Sequence, residues 1–385
     1  MDNLSKNHFG RRHLMQWAVG GLVAVPLLNH SALSANSPPV SESHFETLDS
    51  FLGDLKDGVF INYNENPLGP CAKAREALAK TIPLSGRYES GFIKNIAQII
   101  SQQENIAVDY LHFFAGSSVP LHAAAIAFSD KDHAIAYPLP TFDKFFRKPN
   151  GQSFAPLISV PVNEKHQIDV AAMLSAAPDA GLYYICNPNN PTGVVTPMRD
   201  IEWLLAHKPA NSVVLVDEAY IHYSDMPSAM SLVAQGKDVV VLRTFSKIYG
   251  LAGMRLGFAA ARPDLLEKIV DLDFNHPPFP AFAAAEASLL DEKLLPERKA
   301  YNKAVRNDIF AWLSKRGYKY TPSEASFFMV HVGRPGQQVT DALKKYKVFI
   351  SGTRPRYPDW VRVSVGSFAE MNAFKAAFEK VMASA

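Results

Sequence analysis

Three short stretches of this chain are apolar on every side and rich in β-branched residues, as is typical of strands buried on both faces of a parallel sheet. They are GLYYICNP (181–188), NSVVLVDEAY (211–220) and KDVVVLRTFSK (237–247). Helical patterns separate them, TPMRDIEWLLAHKP and SAMSLVAQG. This alternation predicts an α/β fold with a large, doubly wound, mostly parallel sheet.

The length of 385 residues suits one large and one small domain. Beyond about Phe274, a proline-rich break precedes a helical segment, a long helix and further strands, which is typical of a smaller α+β domain. We therefore predict an export signal at 1–35, a linker and N-terminal arm at 36–60, a large domain at 61–274 and a small C-terminal domain at 275–385.

Composition excludes several classes of protein. Apolar residues make up 48% and charged residues 20%, as in ordinary soluble globular proteins. The formal net charge of +2 is too small to indicate a nucleic-acid partner. The two cysteines, Cys71 and Cys186, cannot form a disulfide framework and lack metal-ligand spacing, so no metal site is predicted.

The N-terminus has the layout of an export signal. Paired arginines, Arg11 and Arg12, precede an apolar run of 12 residues (17–28) and small residues at 32–35. A membrane-spanning helix needs roughly 20 residues, so no stable span is expected. The pair indicates twin-arginine export to the periplasm, with the Tat machinery as partner. The alternative is an amphipathic or disordered N-terminus and a cytoplasmic protein.

Polar residues follow each of the three predicted strands, and ligands bind at this edge of α/β sheets. Lys247 closes the third strand, in TFSKIYGLAGMRLG, where Thr244 is a further cofactor-binding candidate. A partly desolvated lysine beside another cation has a lowered pKa and can form a Schiff base. The alternative is a surface lysine. The residues around Lys247, however, match what pyridoxal phosphate needs from a protein: a carboxylate, donors to the ring hydroxyl, an anion cradle and an aromatic face.

The carboxylate would come from Asp217, which ends a buried strand and would pair with the pyridine nitrogen. Asp217 could instead cap the following helix. Asn190, in NPNNPTG, and Tyr220 could both donate to the ring hydroxyl, and Asn190 is also a candidate substrate ligand. For NPNNPTG the alternative is a tight turn. Lys247, Asp217 and Tyr220 are the predicted catalytic residues.

The phosphate cradle would come from two segments. Gly116, Ser117 and Ser118 stand just before an apolar helix, whose N-terminal N–H groups bind anions well. A plain serine N-cap is the alternative. Ser246 and Arg255 would supply a hydroxyl and a permanently charged fork.

The aromatic face would come from Phe142, in PTFDKF, which follows a predicted strand. As a single phenylalanine it could instead belong to the core.

Taken together, the chain resembles fold-type I pyridoxal-phosphate aminotransferases and is similar to their histidinol-phosphate aminotransferase branch. The motifs that carry the resemblance occur in the family's order between about residues 61 and 367: NYNENPLGP, RYESG, GSSVPLHAAA, PTFDKF, NPNNPTG, VDEAY, TFSKIYGLAGMRLG, PSEASFFMV and VRVSVG.

The resemblance implies further roles. Arg362, in WVRVSVG, would bind the acidic end of the substrate, although a cation on an exposed strand face is the alternative. Tyr88 would cross a homodimer interface to the partner's cofactor phosphate, so that the active site is shared. Asn66–Gly69 would line the substrate side, with Asn66 as the substrate ligand. Arg354 and Arg356 lie in one loop, and either could meet substrate; we predict Arg354 as the substrate ligand.

The resemblance implies ping-pong transamination between an amino donor and a 2-oxo acid, such as 2-oxoglutarate. The donor would be an amino acid or an amino-alcohol phosphate such as histidinol phosphate. Departures from the family pattern at Ser118, Phe142 and Ser326 leave the lysine untouched and the substrate open. A decarboxylase or cyclase on the same scaffold remains an alternative, as does a non-catalytic cofactor-binding sensor.

Overall fold

The three β-branched segments form the centre of a seven-stranded sheet in the computed structural model. All described residues belong to one compact unit, Leu52–Ala385. The structure describes Gly53 and residues 57–88, 91–148, 150–354 and 356–384.

The predicted export signal at 1–35 and the arm up to residue 52 lie outside the described residues, so both remain predictions. Among the helices that are described, none is both long enough and apolar enough to cross a membrane.

The strands are short, and the four at 182–186, 213–217, 239–244 and 257–260 are buried along their whole length. In chain order they are β1 (Val59–Ile61), β2 (Leu111–Phe114), β3 (Ile135–Leu139), β4 (Leu157–Pro161), β5 (Leu182–Cys186), β6 (Val213–Asp217), β7 (Val239–Thr244), β8 (Gly257–Ala260), β9 (Phe327–His331), β10 (Val348–Ile350) and β11 (Trp360–Ser364).

Helices alternate with the strands in the first part and dominate the last part. They are α1 (Ala72–Thr81), α2 (Gly91–Glu104), α3 (Ser118–Ala127), α4 (Val170–Ala176), α5 (Met198–His207), α6 (Met230–Ala234), α7 (Pro263–Val270), α8 (Phe279–Leu289), α9 (Leu294–Lys315), α10 (Gly336–Lys344) and α11 (Phe368–Ala383).

The order of the large sheet is β2-β8-β7-β6-β5-β3-β4. Strands β5, β6 and β7 pair in parallel, as the sequence predicts. Only β8 runs against its neighbours β7 and β2. The carboxyl ends of six strands therefore meet at one edge, and the start of β8 lies at that same edge.

Both faces of the sheet are covered, which explains the unbroken apolar runs. Along β5, Tyr183 and Ile185 pack into one buried cluster, while Leu182, Tyr184 and Cys186 pack into a second cluster on the opposite face. This alternation is the normal geometry of a strand. The predicted α/β fold with a mostly parallel sheet is confirmed.

The C-terminal part has its own core, built around an antiparallel pair of β9 and β11. Strand β10 pairs in parallel with β1, near the start of the described chain. The predicted boundary at residue 61 therefore falls at the end of a strand that packs with the C-terminal part. The domain limits otherwise stay predictions.

Gly193, in the loop after β5, shows how closely the two parts of the chain meet. Its φ is +72°, and an added Cβ would lie 1.9 Å from the Ser323 Oγ. We expect Gly193→Ala to lower the free energy of unfolding by about 3 kcal/mol, from left-handed strain and overpacking together.

The control is Gly333→Ala, whose φ is +66° but whose added Cβ meets nothing within 4 Å. Gly333→Ala should lower the free energy of unfolding by about 1 kcal/mol, from the left-handed backbone strain alone. Urea unfolding of both variants measures the difference, and equal losses would contradict the packing argument.

Candidate active site

Loops at the carboxyl edge of the sheet surround one pocket of about 560 Å³. Strands β2, β3, β5, β6 and β7 each deliver residues to it, and Arg255 enters just before β8. The predicted site residues that line the pocket are Ser117, Ser118, Phe142, Asn190, Asp217, Tyr220, Thr244, Ser246, Lys247, Arg255, Arg354 and Arg362.

Gly116 lies behind the wall and makes room for Arg255. Its φ is +89°, and an added Cβ would lie 2.2 Å from Arg255 Nη2. Arg255 itself has a left-handed backbone, with φ +56°, and its Nη1 donates to the Ser246 hydroxyl at 3.3 Å. The arginine fork is thus fixed against the loop that precedes α3.

Ser117 and Ser118 stand at the N-terminus of α3. Ser117 is the N-cap residue, but its side chain makes no capping hydrogen bond. The serine N-cap considered from the sequence is therefore not formed by a hydroxyl. Both serines border the pocket at the N-terminus of the helix, where N–H groups suit an anion.

Asp217 ends β6 and is buried. Its Oδ1 accepts from the Ala219 N–H at 3.1 Å, and its Oδ2 accepts from the Tyr184 hydroxyl at 3.2 Å. Burial raises the pKa of Asp217 to about 6, although these two donors oppose the shift. Among the described residues Asp217 forms no ion pair, so a cation at this point would stabilise its charge.

Lys247 follows β7, and its Nζ donates to the Tyr63 carbonyl at 3.2 Å. Burial lowers the pKa of Lys247 to about 8, with nearby Arg362 adding to the effect. Glu65 and Asp217 oppose the shift. The amine is therefore far closer to neutral at physiological pH than an ordinary surface lysine.

Tyr220 borders the pocket beside the amine, with Lys247 Nζ 5.6 Å from its ring centroid. Asn64 Nδ2 donates to the Tyr220 hydroxyl at 3.2 Å, and Asn64 Oδ1 accepts from Ser364 at 2.9 Å. The Tyr220 hydroxyl accepts this bond and keeps its own proton free to donate into the pocket.

Arg362, on β11, is buried rather than on an exposed strand face. Its Nη1 donates to Asn190 Oδ1 at 2.8 Å and its Nη2 to the Asn62 carbonyl at 2.6 Å. Its Nε is buried without a hydrogen-bond partner. Burial, reinforced by Arg354, lowers the pKa of Arg362 to about 10. An anion in the pocket would stabilise this guanidinium.

Arg354 and Arg356 differ in position. Arg354 borders the pocket, and its guanidinium donates to Ser351 Oγ at 2.8 Å and to the carbonyls of Gly352 and Thr353. Arg356 is exposed and does not border the pocket. The geometry therefore selects Arg354 as the arginine of this loop that can reach a ligand.

Asn66 and Tyr88 do not border the pocket. The Asn66 amide donates to the Ile248 carbonyl at 2.9 Å, and its oxygen accepts from the Leu68 N–H. This position does not fit the substrate contact predicted for Asn66, which instead supports the turn after Lys247. Tyr88 is fully exposed on this chain.

Sequence reasoning missed Tyr184 and Asn64. Cys186 pairs with Asp217 across β5 and β6, and Tyr184 lies two residues before Cys186, so all three side chains share one face. Only the strand register reveals this. Asn64 lies in the quoted NYNENPLGP motif and has a φ of +56°, which asparagine tolerates better than most residues.

The residues present fit pyridoxal phosphate. The unused serine hydroxyls and the Arg255 fork suit a phosphate, buried Asp217 lacks a cation, and Lys247 offers an amine whose pKa is lowered to about 8. Within the part of the chain that the structure describes, no cluster of His, Cys, Asp or Glu side chains could hold a metal ion. Both cysteines are free thiols.

We expect Gly116→Ala to displace the Arg255 guanidinium and weaken the binding of pyridoxal phosphate about tenfold or more, since one charge-assisted hydrogen bond contributes about 1.5–3 kcal/mol. Equilibrium dialysis measures the effect. The control is Gly253→Ala, two residues before Arg255, where an added Cβ meets nothing within 4 Å. Unchanged affinity in Gly116→Ala would contradict the proposed cradle.

Comparison with known proteins gives a consistent result. The family model for aminotransferase class I and II matches residues 32–378. The histidinol-phosphate aminotransferase of Halalkalibacterium halodurans is 32% identical over 338 residues, covering 86% of this chain and 90% of the relative. The aromatic amino acid aminotransferase of Cutibacterium acnes is 32% identical over 325 residues, covering 82% and 90%.

Solved structures agree on the fold. A protein from Erwinia carotovora atroseptica superimposes with a TM-score of 0.80 at 28% identity, covering 84% of this chain and 96% of that one. Histidinol-phosphate aminotransferase from Sinorhizobium meliloti, in complex with pyridoxal-5'-phosphate, gives 0.76 at 24% identity, covering 92% and 100%. With the fold of the type I enzymes and a family match over most of its length, this chain belongs to the aminotransferase class I and II family.

Proposed function

We propose that this protein is a pyridoxal-phosphate-dependent aminotransferase that moves an amino group from an acidic amino donor to a 2-oxo acid. The observation that carries the proposal is that Lys247, Asp217 and an anion cradle that includes Ser117 and Arg255 line the same pocket. Membership of the aminotransferase class I and II family supports the same reaction.

Each part of the cofactor has a matching group. Lys247 Nζ would hold the aldehyde carbon, and Asp217 would hold the pyridine nitrogen in its protonated form. The phosphate would lie among Ser117, Ser118 and Arg255. The cofactor, when bound, supplies an electron sink for the carbanion formed at the substrate α-carbon.

Further pocket residues would orient the ring. Tyr220 and Asn190 would donate to the ring hydroxyl, and Phe142 would cover one face of the ring. Thr244 would act indirectly, because its hydroxyl donates to Ser246 Oγ at 2.9 Å and so orients that hydroxyl toward the phosphate.

Lys247 would also move the proton. A pKa of about 8 leaves a usable fraction of neutral amine at physiological pH, which is what a general base requires. Tyr63 O accepts from the amine and keeps Nζ over the pocket. Nζ would therefore take a proton from the substrate α-carbon and deliver it, on the same face, to the cofactor carbon that it held before.

The substrate would bind through its acidic groups. Arg362 would take a carboxylate or phosphate, since its buried Nε has no partner and its fork is otherwise held by Asn190 and Asn62. Arg354 would face a second anionic group. The names of the Halalkalibacterium halodurans and Cutibacterium acnes relatives make histidinol phosphate and aromatic amino acids the first donors to test.

A homodimer would complete the site. Tyr88 is fully exposed and outside the pocket of its own chain, as expected of a residue that reaches a partner's cofactor phosphate. Sedimentation velocity tests the dimer, and a monomer with full activity would contradict it.

Export to the periplasm by the twin-arginine route is proposed from Arg11, Arg12 and the apolar run that follows. Fractionation of cells carrying the native chain and an Arg11→Lys, Arg12→Lys variant tests it. Equal cytoplasmic retention of both chains would contradict export.

Replacing the amine should abolish the reaction. In Lys247→Ala we expect amino transfer to fall by at least about 10³-fold, because the general base and the cofactor attachment are both removed. Formation of glutamate from 2-oxoglutarate, followed by chromatography, measures it. Lys237→Ala, at an exposed lysine, is the control. Substantial activity in Lys247→Ala would sink the proposed role.

Asp217→Asn should stabilise the cofactor-free protein at neutral pH but weaken its binding of pyridoxal phosphate. The folded-state pKa of about 6 lies above the ordinary 3.8, so the Asp217 contribution to stability is present below pH 4 and is lost as pH rises to 6. Above pH 6, the cofactor-free variant should therefore be more stable than the parent by about 1–3 kcal/mol. Its affinity for pyridoxal phosphate should fall at least about tenfold.

Thermal unfolding at pH 4 to 8, with and without pyridoxal phosphate, measures both effects. Asp132→Asn, at an exposed carboxylate, is the control. If Asp217→Asn left the affinity for the cofactor unchanged, Asp217 could not be the partner of the pyridine nitrogen.

A further inference from the structure

The loop that carries Arg354 is held mainly by its own part of the chain. It runs from Ser351 to Tyr357, between β10 and β11, and Ser351 and Arg354 both border the pocket. The Ser351 N–H donates to the Arg362 carbonyl at 3.1 Å, and the Tyr357 N–H donates to the Arg354 carbonyl at 2.9 Å. The Arg354 guanidinium also bonds within the loop. None of these contacts fixes the loop relative to the large sheet.

One side-chain hydrogen bond makes that connection. The Tyr357 hydroxyl lies 2.9 Å from His166 Nδ1, in the turn that follows β4. Among the described residues, this is the one hydrogen bond that we find between loop 351–357 and residues 111–260, which carry the sheet. Asp143, which also borders the pocket, acts on Arg354 through its charge without a direct bond.

Hydrogen bonds to Asn163 hold the turn that carries His166. Asn163 Oδ1 accepts from the N–H groups of Lys165 and Gln167, and the Asn163 carbonyl accepts from the His166 N–H at 2.8 Å. His166 has a φ of +61°, a left-handed conformation that costs a non-glycine residue free energy. A conformation of this kind persists only where the surrounding contacts enforce it.

The imidazole then packs into an aromatic cluster on the C-terminal part. Its ring lies edge-to-face with Trp360 at 5.2 Å and tilted against Tyr357 at 5.8 Å. His331 packs against Trp360 at 5.4 Å and is itself bonded to Asp359 at 2.6 Å. Burial lowers the pKa of His166 and raises that of Tyr357, so both partners are neutral near pH 7.

We propose that His166 and Tyr357 are positioning residues for substrate selection, and that their hydrogen bond holds loop 351–357 so that Arg354 meets the second anionic group of the substrate. The inference rests on the proposed aminotransferase function and adds a substrate class to it: donors and acceptors with an anionic group on the side chain. Substrates with a single carboxylate use Arg362 alone and do not depend on this hydrogen bond.

The test uses the protein loaded with pyridoxal phosphate and the variant Tyr357→Phe, which removes one hydroxyl. Glutarate serves as a dicarboxylate probe and butyrate as a monocarboxylate probe, with both affinities measured by calorimetry. We expect the glutarate Kd and the KM for 2-oxoglutarate to rise about fivefold, the effect of one neutral hydrogen bond. The butyrate Kd, kcat and cofactor affinity should stay unchanged.

Two further variants make the test specific. Tyr346→Phe, at a half-exposed tyrosine away from the pocket, is the matched control and should behave like the parent. His166→Asn tolerates the left-handed backbone but removes the imidazole. It should weaken glutarate binding at least as much as Tyr357→Phe, because the ring contacts with Tyr357 and Trp360 are lost together with the hydrogen bond. The double variant should be no worse than His166→Asn alone, because both changes remove the same hydrogen bond.

The inference is overturned if Tyr357→Phe leaves the glutarate Kd unchanged, if it weakens glutarate and butyrate equally, or if the two single effects add. Calorimetry does not require turnover, so failure of the proposed function is visible separately. A protein that binds no pyridoxal phosphate, or transfers no amino group, refutes the function directly.

Discussion

Burial of the Asp217 carboxylate is the constraint on which the site depends. A charged carboxylate away from water is costly unless donors or a cation surround it. Here one backbone N–H and the Tyr184 hydroxyl supply two hydrogen bonds, and the pKa still rises to about 6. The fold therefore maintains a carboxylate that a protonated ring nitrogen would stabilise, and this requirement explains why an acid ends a central buried strand.

Strand direction assembles the other groups around Asp217. Because the carboxyl ends of parallel strands meet at one edge, loops as far apart in the chain as those of Ser117 and Lys247 reach the same pocket. The single reversed strand, β8, starts at that edge. Arg255, just before the start of β8, therefore lies near Lys247, which follows the end of β7. The C-terminal part adds Arg354 and Arg362, which gives the pocket its anion-binding side.

Local patterns were enough to predict the sheet, its parallel centre and many of the polar residues that reach the pocket from the strand ends. Strands such as β6 are unbroken apolar runs, and the polar residues that follow them reach the pocket because of strand direction alone. Tyr184 could not be predicted, since its contact with Asp217 depends on the register of β5 against β6. Asn64 could not be identified from the sequence, because only the turn geometry shows which amide faces Tyr220. His166 lies in a loop whose partner, Tyr357, is almost two hundred residues away, and no local pattern links them.

The most direct test of the account is an absorbance titration of the purified protein loaded with pyridoxal phosphate. Amino donors, including histidinol phosphate and aromatic amino acids, are added one at a time without an acceptor. The account predicts that the visible band of the bound cofactor moves to shorter wavelength with at least one of these donors and returns on addition of a 2-oxo acid, and that Lys247→Ala lacks this reversible shift. A bound cofactor that answers no donor, or a donor that loses CO₂ instead of its amino group, would contradict transamination.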